Sequence, residues 1–450
     1  MTVTLRAHQR AAADEMDAAR RLYLNHDCGT GKTITMLAHC ARVPMPTLVL
    51  APKTVMETAW GGDAHHFPTL RLVFAHGGKR AIIDALSSPF DIAVTTFETF
   101  RIHAPLFAGK VRRLIVDEAS KLKNYKSATT RAVCPFAQSL DRVYLLSGTP
   151  APNCPSEWFP QVCAIDPTIF GTNYWRFISR YFVPKKRTLG NGRTIIERLD
   201  QTPAQRADFA AKLAPIVRTV KKSDCLDLPP VTDVVVRVIL SHDERDAYDR
   251  LADDLRITLA DGSTDRIKAE ATLTKIRQCV GGGYLHEGHP VEIGSSKLDA
   301  LAELLEEIGP REPVVIWAEY RAEIDRIRHA IGDGAEVLDG RTSHDAASIV
   351  RRFQAGEIPR LICHPQAAGH GITLTRACYA IYFSLSFSLE LFHQSRARLD
   401  RSGQTRPVTN YILCADQTID RAIWKTIQAK GDVAEAVIDE IVARRPILAD

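Results

Sequence analysis

The segment HDCGTGKT, which begins at His26, combines residue types that suit phosphate binding. Gly29 and Gly31 allow backbone N–H groups to approach a phosphate closely. Lys32 can reach the β- and γ-phosphates of a nucleotide, and the Thr33 hydroxyl can hold Mg²⁺. The apolar spacing after Lys32 is helical, so a helix N-terminus would point at the anion. His26 stands where the full Walker A pattern has glycine, which leaves open an ordinary glycine-containing turn before a core helix.

Two adjacent carboxylates, Asp117 and Glu118, follow the apolar run VRRLIV, which is typical of a buried strand. In a phosphate-handling site the first carboxylate can hold Mg²⁺, and the second can orient and deprotonate the attacking water. Acidic pairs at strand ends also serve as helix N-caps or solvated turns. The pair stands about 85 residues after the GTGKT pattern in the same strand–helix alternation, which favours the metal end of a nucleotide site.

A third polar cluster, LLSGTPAPN, ends the next predicted strand with the hydroxyls of Ser147 and Thr149. Taken alone, its serine, glycine, threonine and proline are the composition of an ordinary turn. The cluster becomes informative only through its order in the chain, after the phosphate-loop pattern and the acidic pair.

Basic residues are concentrated in the segment LELFHQSRARLDRSGQ of the C-terminal part of the chain. If this segment is helical, Gln394, Arg398 and Arg401 stand at positions i, i+4 and i+7 and project from one face. Arginines that face a phosphate loop can stabilise the charge of a transferring phosphoryl group. A solvated basic helix face is the common alternative. The following Gly403-Gln404, and a distant phosphate loop that could receive the arginines, argue against that alternative.

The composition is that of a globular protein with more than one domain. A chain of 450 residues is too long for one ordinary core, and 45% hydrophobic with 25% charged residues excludes a disordered chain. The net charge of +5 permits nucleic-acid binding without requiring it.

The ten cysteines show no zinc-site spacing, so reduced thiols are expected. Without a signal-peptide core or a run of ~18 apolar residues, we expect a cytoplasmic protein that is not secreted and binds no membrane.

The apolar runs divide the chain into three parts. Runs such as PTLVLAP and RVYLLSGTP lack polar alternation, which is typical of strands buried on both faces of a parallel sheet, so residues 1–155 are predicted to form an α/β domain. Residues 156–290 are predicted to be a mainly helical insertion, in which Asn191-Gly192 indicates a β-hairpin. The alternation resumes with VVIWAE and YAIYFSL, so residues 291–450 are predicted to form a second α/β domain.

These motifs, in this order, resemble the Swi/Snf-related ATPases of helicase superfamily two, in a compact bacterial, archaeal or phage form, over nearly the whole chain. DCGTGKT is similar to the family's D-x-G-x-G-K-T phosphate loop, which accounts for His26. DEASKLKN resembles motif II, LSGTPAPN motif III and HQSRARLDRSGQ motif VI. The resemblance implies an α/β fold of two RecA-like parallel-sheet domains with a mainly helical insertion between them.

The resemblance also implies site residues. Catalytic roles are implied for Lys32, Asp117, Glu118, Arg398 and Arg401, and Mg²⁺ binding for Thr33 and Asp117. ATP contacts are implied for Gln9 (reading adenine), Gly29, Thr30, Gly31, Lys32, Thr33, Gly371 and Gln394. Nucleic-acid contacts are implied for Lys53, Thr95, Thr96, Gly340 and Thr375, and coupling between the sites for Ser147 and Thr149.

The function that the resemblance implies is an ATP-dependent motor that moves along double-stranded DNA. ATP and Mg²⁺ would be held by the first domain, and the arginines of the second would complete the site. Contacts with the phosphate backbone carry little sequence information, so binding would be salt-sensitive and independent of sequence. A separate protein partner for targeting stays open.

Two other functions stay open. A strand-separating DNA or RNA helicase would use the hairpin at residues 187–196 as a separating pin, and the basic KKRTLGNGR around its tip is either a DNA contact or a solvated loop. A non-catalytic nucleic-acid-binding module is suggested by Ser120, which replaces the histidine of motif II, and by Ser395 and Ala397 in motif VI. Every residue with a direct chemical role is nevertheless present, which favours the enzyme.

Overall fold

A computed structural model describes most of the chain. The described part runs from residue 3 to residue 429, with gaps at 153, 189–193, 261–265, 287–288, 343–344 and 369–371. The chain divides into two compact units, the first built mainly from residues 1–227 and the second mainly from residues 228–450. Within the described ranges, no helix combines the length and the apolar character needed to cross a membrane.

The first unit is built on a parallel sheet of seven strands in the order β3-β4-β2-β5-β6-β1-β9. Strands β2, β4 and β5 are buried along their whole length, as expected for runs without polar alternation. The strands of this unit are β1 (Arg21–His26), β2 (Thr47–Leu50), β3 (Leu72–Phe74), β4 (Ile92–Thr95), β5 (Arg113–Asp117), β6 (Arg142–Ser147), β7 (Val183–Thr188), β8 (Thr194–Asp200) and β9 (Val217–Val220).

Helices cover both faces of this sheet. Successive residues of a strand point to opposite faces, so each strand contributes side chains to both cores. Leu48 and Leu50 of β2 therefore enter one apolar core, while Val49 between them enters another. The helices are α1 (Ala7–Ala18), α2 (Lys32–Arg42), α3 (Lys53–Val55), α4 (Gly62–Ala64), α5 (Lys79–Ser87), α6 (Phe97–His103), α7 (Ala128–Gln138), α8 (Trp158–Ile165), α9 (Pro167–Phe170), α10 (Tyr174–Tyr181), α11 (Pro203–Leu213) and α12 (Lys222–Cys225). A π-helical turn, Met56–Gly61, lies between α3 and α4.

Residues 156–227 form a smaller structure on the first unit. Helices α8 to α11 enclose an aromatic cluster that includes Phe159, Phe177 and Phe209. Strands β7 and β8 pair antiparallel, as the predicted hairpin requires, and the turn at Asn191-Gly192 lies outside the described residues. Strand β9 then joins the edge of the main sheet, parallel to β1.

The second unit contains a parallel sheet of six strands in the order β10-β17-β16-β13-β15-β14. The short pair β11–β12 is antiparallel. The strands of the second unit are β10 (Val231–Val238), β11 (Gly283–His286), β12 (His289–Glu292), β13 (Val314–Trp317), β14 (Ala335–Leu338), β15 (Arg360–Cys363), β16 (Tyr379–Tyr382) and β17 (Val408–Ala415). Its helices are α13 (His242–Ala260), α14 (Arg266–Val280), α15 (Ser296–Ile308), α16 (Arg321–Ile331), α17 (Ala346–Ala355), α18 (Pro365–Ala368), α19 (Leu389–Leu399) and α20 (Ile419–Ala429).

The fold class is the predicted one, two parallel-sheet α/β domains. The segment 156–290 contributes more than helices, because it also supplies β9 to the first sheet and β10 to the second. The boundary between the two units falls near residue 227, inside that segment. The predicted division at residues 155 and 290 stays a prediction.

Candidate functional site

The phosphate-loop pattern lies between the end of β1 and the start of α2. Gly29 and Gly31 have φ angles of 88° and 85°, in the left-handed region that favours glycine. Gly31 is the N-cap of α2, so the free backbone N–H groups of the first helical turn face the loop. The sequence GTGKT therefore folds into a concave loop at a helix N-terminus, which is the geometry of an anion site.

Lys32 is the first residue of α2, and its side chain turns back over the loop. Its Nζ atom donates to the carbonyl oxygens of His26, at 2.8 Å, and Asp27, at 3.2 Å. The Thr30 hydroxyl donates to the Asp27 carbonyl at 2.8 Å. Thr33, in the same first turn, is half-buried. Burial, and after it the Lys32 ammonium, lower the pKa of His26 to about 3, so the loop carries its positive charge on the lysine.

Gln9 of α1 is buried against this loop. Its Nε2 atom donates to the Thr30 carbonyl at 3.0 Å, and its Oε1 atom accepts from the Arg6 backbone N–H at 2.9 Å. A Cβ atom on Gly31 would clash with the Gln9 amide, so glycine is required there for space as well as for conformation. The structure therefore places Gln9 in contact with the phosphate loop.

Asp117 is the last residue of β5, and its carboxylate is buried. The indole Nε1 of Trp60 donates to Asp117 Oδ2 at 2.9 Å. Burial raises the pKa of Asp117, and the Trp60 hydrogen bond and the positive charge of Lys32 oppose that rise. Glu118 follows with a φ of 63°, which is uncommon outside glycine and marks a strained backbone at the strand end.

The SGT segment ends β6, between β5 and β1 in the sheet order. Ser147 is fully buried, and its hydroxyl accepts from the backbone N–H of Thr149 at 3.1 Å. Strands β1, β5 and β6 are parallel neighbours, so their carboxyl ends bring the phosphate loop, the acidic pair and the SGT segment to one edge of the first sheet. The three predicted clusters of this unit therefore converge.

The second unit holds the arginine segment. Gln394 is buried on α19, where its Nε2 atom donates to Glu390 Oε1 at 3.3 Å. Arg398 is also buried, and its Nε atom donates to the Gln394 carbonyl at 3.1 Å. The expectation that Arg401 lies on the same helical face is wrong, because α19 ends at Leu399.

The backbone leaves the helical path directly after Leu399, at Asp400, which has a φ of −83° and a ψ of 79°. Gly403 then continues the turn with a φ of 99°. The Gln404 side chain donates to the carbonyl oxygens of Ala377, at 2.8 Å, and Leu399, at 3.3 Å, so it satisfies an acceptor in the last turn of α19.

The residues predicted to contact nucleic acid differ in exposure. Lys53 and Gly340 are exposed, and Thr375 is half-buried. Thr95 and Thr96 are buried, and the Thr96 hydroxyl caps α6 by accepting from the Thr99 backbone N–H. Gly371, predicted to contact ATP, lies outside the described residues.

Comparison with known families assigns the chain. A family model described as the SNF2-related domain matches residues 12–280, which is more than half of the chain. The chain belongs to the SNF2-related family. A second model, described as the helicase conserved C-terminal domain, matches residues 296–403. Membership of the SNF2-related family supports an ATP-hydrolysing enzyme.

The SNF2-related chain has relatives of very different length. It is 28% identical over 437 residues to a SWI/SNF-related regulator of chromatin, subfamily A-like protein 1 homolog, of Caenorhabditis elegans, covering 92% of this chain but 59% of the relative. It is 24% identical to putative protein p41 of Acyrthosiphon pisum secondary endosymbiont phage 1, covering 97% of this chain and 98% of that protein. The solved Sulfolobus solfataricus SWI2/SNF2 ATPase core in complex with dsDNA is 21% identical, with a TM-score of 0.45, covering 99% of this chain and 98% of that one.

Sequence reasoning missed one residue of this SNF2-related site. Trp60 lies 57 positions before Asp117, so no local pattern links the two. An apolar residue in a helical segment is normally a core residue, and Trp60 does pack in a core. The signal that could have identified Trp60 is its indole N–H, because a buried tryptophan usually donates to a hydrogen-bond acceptor nearby.

The residues of the SNF2-related first unit fit a magnesium nucleotide. The conformations of Gly29 and Gly31 shape the loop at the N-terminus of α2. Lys32 adds a cation, whose ammonium donates to the carbonyl oxygens of His26 and Asp27. Oxygen donors from a hydroxyl and a carboxylate are the ligands that Mg²⁺ prefers. Thr33 supplies the hydroxyl from the first turn of α2, and Asp117 supplies the carboxylate from the end of β5.

Proposed function

We propose that this protein is a DNA-stimulated ATPase that uses ATP hydrolysis to move along double-stranded DNA and to remodel DNA or protein–DNA complexes. One observation carries the enzymatic part of the proposal. The phosphate loop, the acidic pair and the SGT segment stand at the carboxyl ends of three adjacent parallel strands, β1, β5 and β6. Ligands of open α/β sheets bind at this edge.

Each proposed site residue of the first unit then has a chemical role. The loop amides and Lys32 bind the phosphates, and Lys32 exchanges its carbonyl partners for phosphate oxygens. Thr33 and Asp117 hold Mg²⁺, which, when bound, neutralises charge on the β- and γ-phosphates. Glu118 orients the attacking water and accepts its proton. Gln9 supports the loop from α1 and stays the candidate for contact with the base.

In the second unit, we propose that Arg398 and Arg401 stabilise the phosphoryl group during its transfer, on the strength of their motif. Gln394 is a further candidate for contact with the nucleotide. Its Oε1 atom is buried and has no hydrogen-bond partner among the described residues.

The nucleic-acid part of the proposal rests on family membership and on the residues named for backbone contacts. Lys53 and Gly340 are exposed, and the ammonium of Lys53 suits a contact with a phosphate. Binding through phosphates would be independent of sequence and would weaken steeply with salt. A cytoplasmic location belongs to the same proposal, and a separate targeting protein stays open.

The antiparallel pair β7–β8 favours a second candidate function, a strand-separating helicase in which this hairpin is the pin. A forked duplex with one labelled strand distinguishes the two functions. A translocase would hydrolyse ATP on the duplex without releasing the strand, whereas a helicase would release it.

The first experiment measures steady-state ATP hydrolysis without nucleic acid and with duplex DNA, single-stranded DNA or RNA. We expect the strongest stimulation from duplex DNA and no turnover in Lys32→Ala. The matched control is Lys79→Ala, because Lys79 is an exposed lysine in the first turn of another helix of the same unit. Preference for single strands or RNA would favour the helicase. No Lys32-dependent turnover on any substrate would leave a non-catalytic binding module.

A further inference from the structure

One tryptophan of the first unit, Trp175, is exposed on a helix whose opposite face is buried. Helix α10 buries Phe177, Ile178 and Tyr181 in the aromatic cluster. Trp175, on the other side of the same helix, is 58% exposed. An indole ring of this size left in water marks a surface that gains free energy when a partner covers it.

Trp175 belongs to a continuous row of rings. Its ring meets the Tyr174 ring edge-on, with centroids 5.5 Å apart. Tyr174 in turn stacks flat on Tyr125, with centroids 3.9 Å apart and an interplanar angle of 14°. The ammonium of Lys126 stands 5.5 Å from the centre of the Tyr125 ring. Together with Arg176, which is exposed, these residues form what we call the Trp175 surface.

The chemistry of the Trp175 surface indicates its partner. A row of aromatic rings flanked by the exposed cations Lys126 and Arg176 suits a ligand with flat apolar faces and regularly spaced negative charges. Single-stranded nucleic acid has both, because its unpaired bases can stack on aromatic side chains while its phosphates meet lysine and arginine. The bases of an intact duplex stack on one another and cannot reach Trp175.

We propose that the Trp175 surface binds single-stranded nucleic acid, with a base stacked on Trp175 and phosphates beside Lys126 and Arg176. This goes beyond tracking along a duplex, because it gives the first unit a separate contact for an unpaired strand. Tyr125 lies on the segment that follows the acidic pair, so the surface and the nucleotide site share one stretch of chain.

The fluorescence of the protein tests this directly. Of its five tryptophans, Trp60, Trp317 and Trp424 are buried and Trp158 is half-buried, so Trp175 is the one exposed to a ligand. Oligo-dT of about 12 nucleotides is titrated into the full-length protein without ATP. We expect quenching of the tryptophan emission by the single strand, much weaker quenching by a blunt duplex, and loss of the quenched component in Trp175→Phe.

Affinity gives the second readout. Stacking of one base contributes about 1–3 kcal/mol, so Trp175→Ala should weaken binding of labelled oligo-dT by about 10-fold or more. The matched control is Ile102→Ala, which removes another apolar side chain of the same unit, 63% exposed. The proposal would be overturned if blunt duplex displaced labelled oligo-dT as well as unlabelled oligo-dT does, which would favour a duplex as the ligand. It would also be overturned if polyglutamate did so, which would favour an acidic protein. Unchanged affinity in Trp175→Ala would overturn it outright.

A different observation carries a second inference, which rests on the proposed function. Trp60 is fully buried in the π-helical turn Met56–Gly61, and its indole N–H donates to Asp117 Oδ2 at 2.9 Å. Such turns are rare and often occur at functional sites. Because the ring cannot move without disturbing its core, the hydrogen bond fixes the direction of the Asp117 carboxylate, which also accepts a hydrogen bond from the Glu118 backbone N–H.

We infer that Trp60 is a positioning residue for Asp117, setting the carboxylate in the orientation that a bound Mg²⁺ requires. Partners of metal ligands typically change metal affinity by 10–100-fold when they are removed. Trp60→Phe keeps a large aromatic ring and removes the donor. The matched control is Trp317→Phe, because Trp317 is equally buried but its Nε1 atom has no hydrogen-bond partner in the described part of the chain.

The test measures binding of a fluorescent ATP analogue as Mg²⁺ is titrated, together with the melting temperature of each variant. We expect Trp60→Phe to need about 10-fold more Mg²⁺ for half-maximal binding, with weak Mg²⁺-free binding unchanged and Trp317→Phe like the wild type. An unchanged Mg²⁺ requirement in Trp60→Phe would overturn this inference alone. Absence of Mg²⁺-dependent nucleotide binding in the wild type would overturn the proposed function with it.

Discussion

Gly148 lies directly against the carbonyl group of His26. A Cβ atom on Gly148 would stand 3.1 Å from that oxygen and 3.1 Å from the backbone nitrogen of Cys28. The same carbonyl accepts the 2.8 Å hydrogen bond from Lys32 Nζ. The SGT segment and the phosphate-loop lysine therefore meet at a single backbone group.

A methyl group at position 148 should disturb this contact. In Gly148→Ala the His26 carbonyl must shift by a few tenths of an ångström, and Lys32 shifts with it, so we expect ATP hydrolysis to fall by about 10-fold. The measurement is kcat and KM for ATP. Gly78→Ala is the matched control, because a Cβ atom there meets nothing within 4 Å. Full activity in Gly148→Ala would show that the contact does not position the lysine.

Removal of the proposed base should separate binding from chemistry. Glu118→Gln keeps the size of the side chain but cannot accept a proton, so we expect turnover to fall by about 10²–10⁴-fold while ATP still binds. Single-turnover hydrolysis and equilibrium binding of ATP measure the two effects. Glu98→Gln, an exposed glutamate of α6, should behave as the wild type. Comparable loss of binding and turnover in Glu118→Gln would contradict the assignment.

The second unit contains a carboxyl group that should make stability depend on pH. Burial raises the pKa of Glu323 to about 7, and a hydrogen bond from Ser384 and the positive charge of Lys297 oppose the rise. Between pH 4.5 and about 7 the folded state therefore holds a proton that the unfolded state has released. The free energy of unfolding should fall by about 3 kcal/mol as pH rises through this range.

Chemical denaturation at several pH values checks this expectation. Glu323→Gln removes the titrating group, so this component of the pH dependence should disappear. Glu303→Gln, an exposed glutamate of α15, should leave it intact. The same slope in wild type and Glu323→Gln would show that the pH dependence has another origin.

Breaking a buried ion pair of the second unit should lower its stability strongly. Lys297 is 1% exposed, and its Nζ atom lies 2.5 Å from Asp420 Oδ2. Lys297→Met leaves a buried carboxylate without its cation, so the free energy of unfolding should fall by about 3–5 kcal/mol. The exposed pair Arg406–Glu312 offers the comparison, because Arg406→Ala should cost about 1 kcal/mol or less. Equal losses in urea denaturation would contradict the expectation.

The sequence was sufficient for the sheets because their strands are buried on both faces, and burial of that kind leaves continuous apolar runs. It was sufficient for the backbone of the GTGKT loop, because Gly29 and Gly31 are needed at specific backbone conformations. It was not sufficient for Arg401, because the helical spacing in the sequence continues past Leu399 while the helix itself ends there. The turn that follows the helix is held by Gln404, which donates to the nearby Leu399 carbonyl and to the distant Ala377 carbonyl, and the second contact is tertiary.

Long-range partners were equally beyond a local pattern. The hydrogen bond from Trp60 to Asp117 joins residues 57 positions apart. The pairing of β9 with β1 joins residues almost 200 positions apart, and the four residues of β9 show no alternation that would mark an edge strand. Both depend on how the whole sheet assembles.

Strand β9 gives the phosphate loop a mechanical connection. It pairs with β1 through to His26, and two residues after β9 the backbone N–H of Lys222 donates to Asp27 Oδ2 at 2.8 Å. The chain that leaves the first unit is thus fastened to the loop beside the lysine. Displacement of that chain would therefore act on the β9–β1 ladder and on the Asp27 carboxylate, which both border the phosphate loop.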